Sequence, residues 1–342
     1  MQNCCMSILL TNKRTTKFQR NIALEKLLLG LNCDLQPSEN LMLERYKGME
    51  MSWPLILIMG PLRSGTTLFM QWLANTGLVA YPSNLLSRFY QAPVLGAKIQ
   101  QLLTDPRYNF RDELGEFVQR SAYQSENGKT KGVLAPNEFW YFWRRFLADP
   151  KHDVWSDDEL RQTIDVLTMT AELVGIMDVF EKPFAAKGML FNYNISFLDS
   201  IFDKVLFVQM IRDPVANVAS VLKARKRQFG NVESWYSFEI PEYDELKHFE
   251  PISQVSAQVA CINRAVTKGL EQVASERKIT VVYEEFCQDP AKVHAQLINR
   301  LGHFMDIPEG SGSDYSFHAS FKTDSLSKEQ IGLILETYKE YI

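Results

Sequence analysis

The sequence predicts an α/β fold: a P-loop-type central parallel sheet flanked by helices, with a large helical insertion covering the working end of the sheet. Three observations carry that prediction. Short, β-rich apolar runs recur at LILIM (55–59), VLFVQMI (205–211) and ITVVY (279–283). Each is too short for a buried helix, and each leads into a turn-and-helix pattern, as in βαβ units. The first run opens into GPLRSGTT, where Gly60 and Gly65 bound a loop between strand and helix, the layout of a phosphate cradle. Finally, roughly 130 residues of mainly helical spacing separate the first run from the second.

Taken in order, residues 1–50 read as an N-terminal helical extension. NIALEKLLL, from Asn21 to Leu29, predicts a short helix that Gly30 ends, and a second helix is expected from Pro37. Residues 51–342 read as the main domain, with about 85–185 as its helical insertion. Within the insertion, NEFWYFWRRFL and DDELRQTIDVLTMTAELVGIMDVF carry apolar spacings of three and four. Asp157, Asp158 and Glu159 stand where negative charge favours a helix start. An insertion at the carboxyl ends of the strands is placed to cover a substrate. After VLFVQMI, Asp213 suits an N-cap and Pro214 a first helical turn.

At 342 residues, 46% hydrophobic and 23% charged, the chain is ordinary globular material, one large domain or two smaller ones. A formal net charge of −4 argues against a broad nucleic-acid-binding face. The five cysteines show no zinc spacing, and their odd count and scatter fit a reducing compartment better than a disulfide framework. No apolar run approaches the roughly 20 residues that span a bilayer. A short apolar patch at 6–10 precedes Lys13, Arg14 and Lys17, the reverse of a secretory signal's order. A cytoplasmic protein is the expectation.

In the GPLRSGTT loop, backbone N–H groups are expected to converge on an anion at a helix N-terminus. Ser64, Thr66 and Thr67 add hydroxyls, and Arg63 adds a planar fork matched to phosphate or sulfate. Thr66 stands where the nucleotide-hydrolase signature has lysine.

GPLRSGTTL closely resembles the phosphosulfate loop of sulfotransferases that use 3′-phosphoadenosine 5′-phosphosulfate (PAPS). It is nearest to the Arg-Ser-Gly-Thr-Thr form of tyrosylprotein and many bacterial or carbohydrate sulfotransferases. The resemblance implies that Arg63, Ser64, Gly65, Thr66 and Thr67 hold the 5′-phosphosulfate. KVLFVQMIRDPVANVASVL is similar to the family's strand–RDP–helix–Ser unit, which implies that Arg212 and Ser220 bind the 3′-phosphate. ITVVYEEFCQDPAKVHAQLINRLG resembles its late strand, with Tyr283 where relatives place an aromatic near the nucleotide; a half-buried strand tyrosine is the other reading. DSLSKEQIGLI resembles a segment whose serine approaches the leaving phosphate, which points to Ser325, or to Ser327. A serine opening a helix there is equally an ordinary cap. The likeness covers most of residues 50–342.

By this resemblance, a sulfuryl group passes in line from PAPS to a hydroxyl acceptor, with release of PAP and no metal. Arg63 is one catalytic cation. Lys187 in FAAKGMLFNYN corresponds to the family's catalytic lysine, although its neighbours Ala186 and Gly188 differ from the family's pattern. YPSNLLSRF has no carboxylate where tyrosylprotein relatives carry their base, so Glu138 in LAPNEFWYFWRRF is the substitute. Desolvation among Phe139, Trp140, Phe142 and Trp143 would suit it to that work; Glu138 as a helix-start carboxylate is the alternative. His152 and His318 are weaker candidates. The aromatics at 140–143 read as core or as a stacking surface for the acceptor. The basic run KARKR (223–227) suits either an acidic acceptor or, as is usual for a basic run on a helix, a solvated face, and is left unassigned. The acceptor class is a small-molecule, lipid or glycan hydroxyl, ahead of peptide tyrosine. Two other readings stay open: a P-loop kinase or nucleotide hydrolase with Asp213 on Mg²⁺, and a PAP-binding protein without catalysis.

Overall fold

The computed structural model of the chain describes residues 14–113, 125–126, 129–147, 154–307 and 326–342. Its first long element is α1 (Ile22–Leu43), one continuous helix that contains both Gly30 and Pro37. The two helices expected here are therefore one. Side-chain bonds on either side of Pro37 hold it straight through. Asn32 donates to the Arg88 carbonyl and accepts from the Gln91 N–H, both at 2.8 Å. Glu39 accepts the Val94 and Leu95 N–H groups at 2.8 and 3.0 Å.

Strand β1 (Leu55–Met59) leads through the glycine-bounded loop into α2 (Thr66–Asn75). Next come α3 (Pro93–Thr104), an antiparallel pair β2 (Ser125–Glu126) and β3 (Lys129–Thr130), and α4 (Trp140–Arg144). Helices α5 (Asp157–Thr163) and α6 (Val166–Phe180) follow, split where one helical run was expected. Asp165 breaks the run by capping α6, its side chain accepting the Thr168 N–H. Ser156 and Glu159 close a capping box on α5. Then come β4 (Phe184–Lys187), α7 (Ile195–Ile201), β5 (Val205–Ile211) and α8 (Pro214–Phe229). The chain continues through α9 (Tyr243–Leu246), α10 (Pro251–Glu271), β6 (Lys278–Val282), α11 (Tyr283–Gln288), α12 (Pro290–Leu301) and α13 (Lys328–Tyr341).

The four long-range strands form one sheet in the order β4-β1-β5-β6, every pair parallel. Alternate residues of each strand enter different cores. Leu55, Leu57, Met59, Phe184, Ala186, Val205 and Phe207 face the larger one, with α6, α7 and α10. Ile56, Ile58, Ala185, Leu206, Val208 and Met210 face the second, against α2, α11 and α12. Both faces are covered, which explains strands that are apolar throughout rather than alternating.

The order of strands fixes where a ligand belongs. The connection leaving β1 runs to β4 on one side, while that leaving β5 runs to β6 on the other. Their carboxyl ends thus flank a topological switch point, the crevice that open α/β sheets use for ligands. Among the described residues no helix is long and apolar enough to cross a membrane. Cys33 is disulfide-bonded, whereas Cys261 and Cys287 are free and buried.

Candidate active site

The loop after β1 is shaped by its close neighbours. Gly60 has φ 135°, and a Cβ there would lie 2.6 Å from the Met210 carbonyl of β5. Asn192 brackets the same residue, accepting its N–H at 3.0 Å and donating to its carbonyl at 2.9 Å. Asn217 of α8 donates to the Leu62 carbonyl at 2.9 Å. Gly65, at φ 101°, presses against the Tyr283 ring, where a Cβ would come within 2.3 Å. Neither contact leaves room for a side chain. Arg63 between them adopts a left-handed φ of 62°, the kind of backbone strain that collects at functional sites.

Arg63 is where the two halves of the sheet meet. Its Nε donates to Ser220 Oγ on α8 at 3.2 Å, and its carbonyl accepts from Arg212 Nη1 at 3.0 Å. The Arg212 guanidinium lies 4.5 Å from the centre of the Tyr283 ring. Burial lowers the pKa of Arg212 and the nearby Arg63 charge does so too, while Tyr283 and Glu284 act the other way. Tyr283 is the first residue of α11 rather than the last of a strand, and it backs both the loop and the arginine. Asp213 caps α8, accepting the Ala216 N–H at 2.8 Å, with Pro214 in the first turn. It serves as a cap, as its residue type predicted.

Within the loop, the Ser64 hydroxyl is buried and has no hydrogen-bond partner among the described residues. Thr66, also buried, opens α2 and its hydroxyl meets the Met189 sulfur at 3.9 Å. Thr67 is different. It accepts from Lys187 Nζ at 2.8 Å, a lysine delivered by the end of β4. A lysine thus meets the loop from the neighbouring strand, one residue beyond Thr66.

The same Lys187 Nζ donates to Glu138 Oε1 at 3.1 Å, while the Trp140 indole N–H donates to Oε2. Lys187 is buried, but the Glu138 side chain is 33% exposed. The desolvated setting expected for this carboxylate is therefore corrected: of its four aromatic neighbours, Trp140 bonds to it and the other three turn into the core. Phe139 adopts φ 59° just after it, which sends the Phe139, Phe142 and Trp143 rings into the core. Trp140 stays at the site. A small pocket lies here, lined by Glu138, Trp140, Trp143, Lys187, Met189 and Leu190. The buried Trp143 indole N–H has no partner among the described residues.

Structure thus brings Arg63, Ser64, Gly65, Thr66, Thr67, Lys187, Glu138, Arg212, Ser220 and Tyr283 around one crevice. Ser325, His152 and His318 lie outside the described residues. Ser327 caps α13 in a capping box with Gln330. Among the described residues no three His, Cys, Asp or Glu side chains group as metal ligands. Three contributors escaped the sequence reading. Asn192 and Asn217 secure the loop, and nothing in their local pattern distinguishes them from surface asparagines. Tyr236 follows α8, and its hydroxyl feels the charges of Arg63 and Glu138. Desolvation raises its pKa, Glu138 raises it further, and Arg63 opposes.

A family model described as "Sulfotransferase family" matches residues 54–306. Among solved structures, sulfotransferase STF1 from Mycobacterium tuberculosis H37Rv aligns with a TM-score of 0.55 at 15% identity, covering 95% of this chain and 87% of its own. Sulfotransferase STF9 from Mycobacterium avium aligns with a TM-score of 0.53 at 15% identity, covering 97% of this chain and 87% of its own. At that identity the likeness speaks for the fold. No curated protein matches the chain.

Proposed function

The chain belongs to the sulfotransferase family, and from that premise we propose that it moves a sulfuryl group from PAPS to a hydroxyl acceptor by in-line transfer, releasing PAP. The observation that carries the reading is the junction at Arg63, which binds Ser220 and Arg212 from β5–α8 to the loop after β1. Two anion-binding groups of residues then lie side by side at the switch point. Arg63, Ser64, Gly65, Thr66 and Thr67 suit the 5′-phosphosulfate, and the partnerless Ser64 hydroxyl fits that use. Arg212 and Ser220 suit the 3′-phosphate, with the Tyr283 ring beneath the guanidinium.

The chain's own groups divide the chemistry. Arg63 and the helix N-terminus at Gly65 neutralise charge on the bridging oxygens. Lys187, fixed by the sheet and bonded to Thr67, places a cation beside the transferring group. Glu138 faces the adjoining pocket and takes the proton from the acceptor hydroxyl. The oxygen so freed attacks sulfur as the phosphate oxygen departs. The pocket, lined by Trp140, Trp143, Met189 and Leu190 beside the carboxylate, suits a small-molecule, lipid or glycan hydroxyl.

Calorimetric titration with PAP, against ATP and ADP, with and without Mg²⁺, tests the reading. Metal-independent PAP binding that weakens at least tenfold in Arg212→Ala is the expected result, about the weight of one charge-assisted contact. Preference for ATP with Mg²⁺ would return the loop to the kinases and hydrolases. PAP binding without turnover on any acceptor would leave a binding protein.

A further inference from the structure

Glu138 lies between β3 and α4, in neither element, so no helix or sheet ladder aims its carboxylate at Lys187. The segment beside it does the holding. Ala80 extends the sheet next to β4: its N–H donates to the Pro183 carbonyl at 2.8 Å, and its carbonyl accepts from the Ala185 N–H at 2.9 Å. A few residues on, the same segment takes up the approach to Glu138. The Asn137 N–H donates to the Pro82 carbonyl at 2.7 Å, and the Asn84 N–H donates to the Ala135 carbonyl at 2.9 Å. One short stretch thus backs both partners of the Lys187–Glu138 contact, since β4 carries the lysine.

Two side chains complete the hold. Asn137 Nδ2 donates to Asn84 Oδ1 at 2.9 Å, and Asn137 Oδ1 accepts the Phe139 N–H at 3.0 Å. Asn84 Nδ2 donates in turn to the Gly132 and Thr130 carbonyls at 2.9 and 3.2 Å. These partners fix how each amide is turned, because reversing either one sets oxygen against oxygen. The bond from Asn137 to the Phe139 N–H spans Glu138 and closes an Asx turn around it. It supports the left-handed φ of 59° at Phe139, a conformation that bulky residues seldom adopt. With that turn set, Phe139 enters the core while Glu138 meets Lys187 Nζ and the Trp140 indole.

Neither asparagine lines the pocket, so any effect on chemistry passes through Glu138. We propose that Asn137 and Asn84 are positioning residues, a side-chain pair that aims the Glu138 carboxylate into the acceptor pocket and keeps it on Lys187 and Trp140. This rests on Glu138 as the base of the preceding reading. YPSNLLSRF, which brings no carboxylate of its own, thereby holds the one supplied at position 138.

The indole N–H of Trp140 reports the aim of the carboxylate, because it donates to Glu138 Oε2. Its proton–nitrogen resonance in the full chain is assigned with Trp140→Phe and calibrated with Glu138→Gln, which replaces the charged acceptor. Asn137→Ala and Asn84→Ala should each move that resonance by at least half of the calibrated shift. Both should slow single-turnover transfer from PAPS to para-nitrophenol or octyl glucoside by roughly 10–10²-fold, the cost of a displaced group, with PAP affinity unchanged. Tyr81→Phe is the control for a merely structural role. It removes a bond between the same two segments, from the Tyr81 hydroxyl to the Leu134 carbonyl, and should leave the resonance in place. Asn84→Ala keeps Asn137 on the Phe139 N–H, so the test survives poor folding of Asn137→Ala. A resonance that stays put in the asparagine variants, or moves as far in Tyr81→Phe, overturns the proposal. So does parental transfer by the asparagine variants when Glu138→Gln is slow. Where Glu138→Gln transfers as fast as the parent, the base reading falls, and the resonance still decides whether the pair aims the carboxylate. Where neither probe is sulfated, the resonance decides alone.

Discussion

Arg63 joins the P-loop to Ser220 and Arg212 through its side chain and its backbone. Arg63→Ala should cut turnover by roughly 10²–10³-fold, the usual cost of losing one preorganised charge donor, and should weaken PAP binding. Activity equal to the parent's would remove the loop from the mechanism. Glu138→Gln should behave differently. A carboxamide cannot take the acceptor's proton, so the rate should fall roughly 10²–10⁴-fold while PAP affinity holds. Single-turnover rates and PAP titrations on the same preparation separate the two. That the loop residues and Arg212 come together was legible because the glycine spacing and the two strand-to-helix turns place them at neighbouring strand ends. Tyr236 was not, because its place depends on a loop folded back by Arg225 from a helix whose charges look solvated in sequence. Glu138 stands at the crevice, but not in the setting its sequence neighbours suggested. The Phe139, Phe142 and Trp143 rings turn inward, and the carboxylate is met instead by the Trp140 indole and by a lysine from a distant strand.

At the level of elements, α8 carries Ser220 and Asn217 to the loop, so its start governs the proposed donor site. Asp213→Ala removes the cap on the Ala216 N–H and should cost about 1 kcal/mol of stability. It should also raise the Kd for PAP, as the first turn of α8 frays. A stable cap mutant with unchanged PAP affinity would separate helix start from binding. Strands β1, β5 and β6 were readable as apolar β-rich runs bounded by turns. Strand β4 was not: FAAK is short, has no β-branched residue, and becomes a strand by pairing with Leu55–Ile58 on one edge and bridging Ala80 on the other. Helix α1 was misread at its middle, since propensity at Gly30 and Pro37 yields to the bonds that Asn32 and Glu39 make with another segment.

For the molecule as a whole, stability at high pH offers a clean test of how the covering segment is held. Tyr81 donates its hydroxyl to the Leu134 carbonyl at 2.9 Å, and burial pushes its pKa up to about 12. The folded state therefore keeps this proton after the unfolded chain begins to lose it near pH 10. The resulting stabilisation is complete below pH 10 and is lost as pH rises towards 12. Urea unfolding of parent and Tyr81→Phe should differ by about 1 kcal/mol at pH 8, and that gap should shrink between pH 10 and 12. A constant gap would mean the hydroxyl stays exposed to solvent.

The strand order also sets a timetable for the making of the protein. β1 has only β4 and β5 as neighbours in the sheet, and roughly 125 residues separate the end of β1 from the start of β4. At ~5–20 residues per second of synthesis, LILIM waits on the order of 6–25 seconds before its first partner emerges. Throughout that interval it is an apolar segment with bare backbone edges, the kind that seeks pairing with another chain. Nascent chains should therefore depend on a holding chaperone until residue 211 has cleared the ribosome. The glycine-bounded loop after β1 is among the first parts synthesised and among the last to be given its shape.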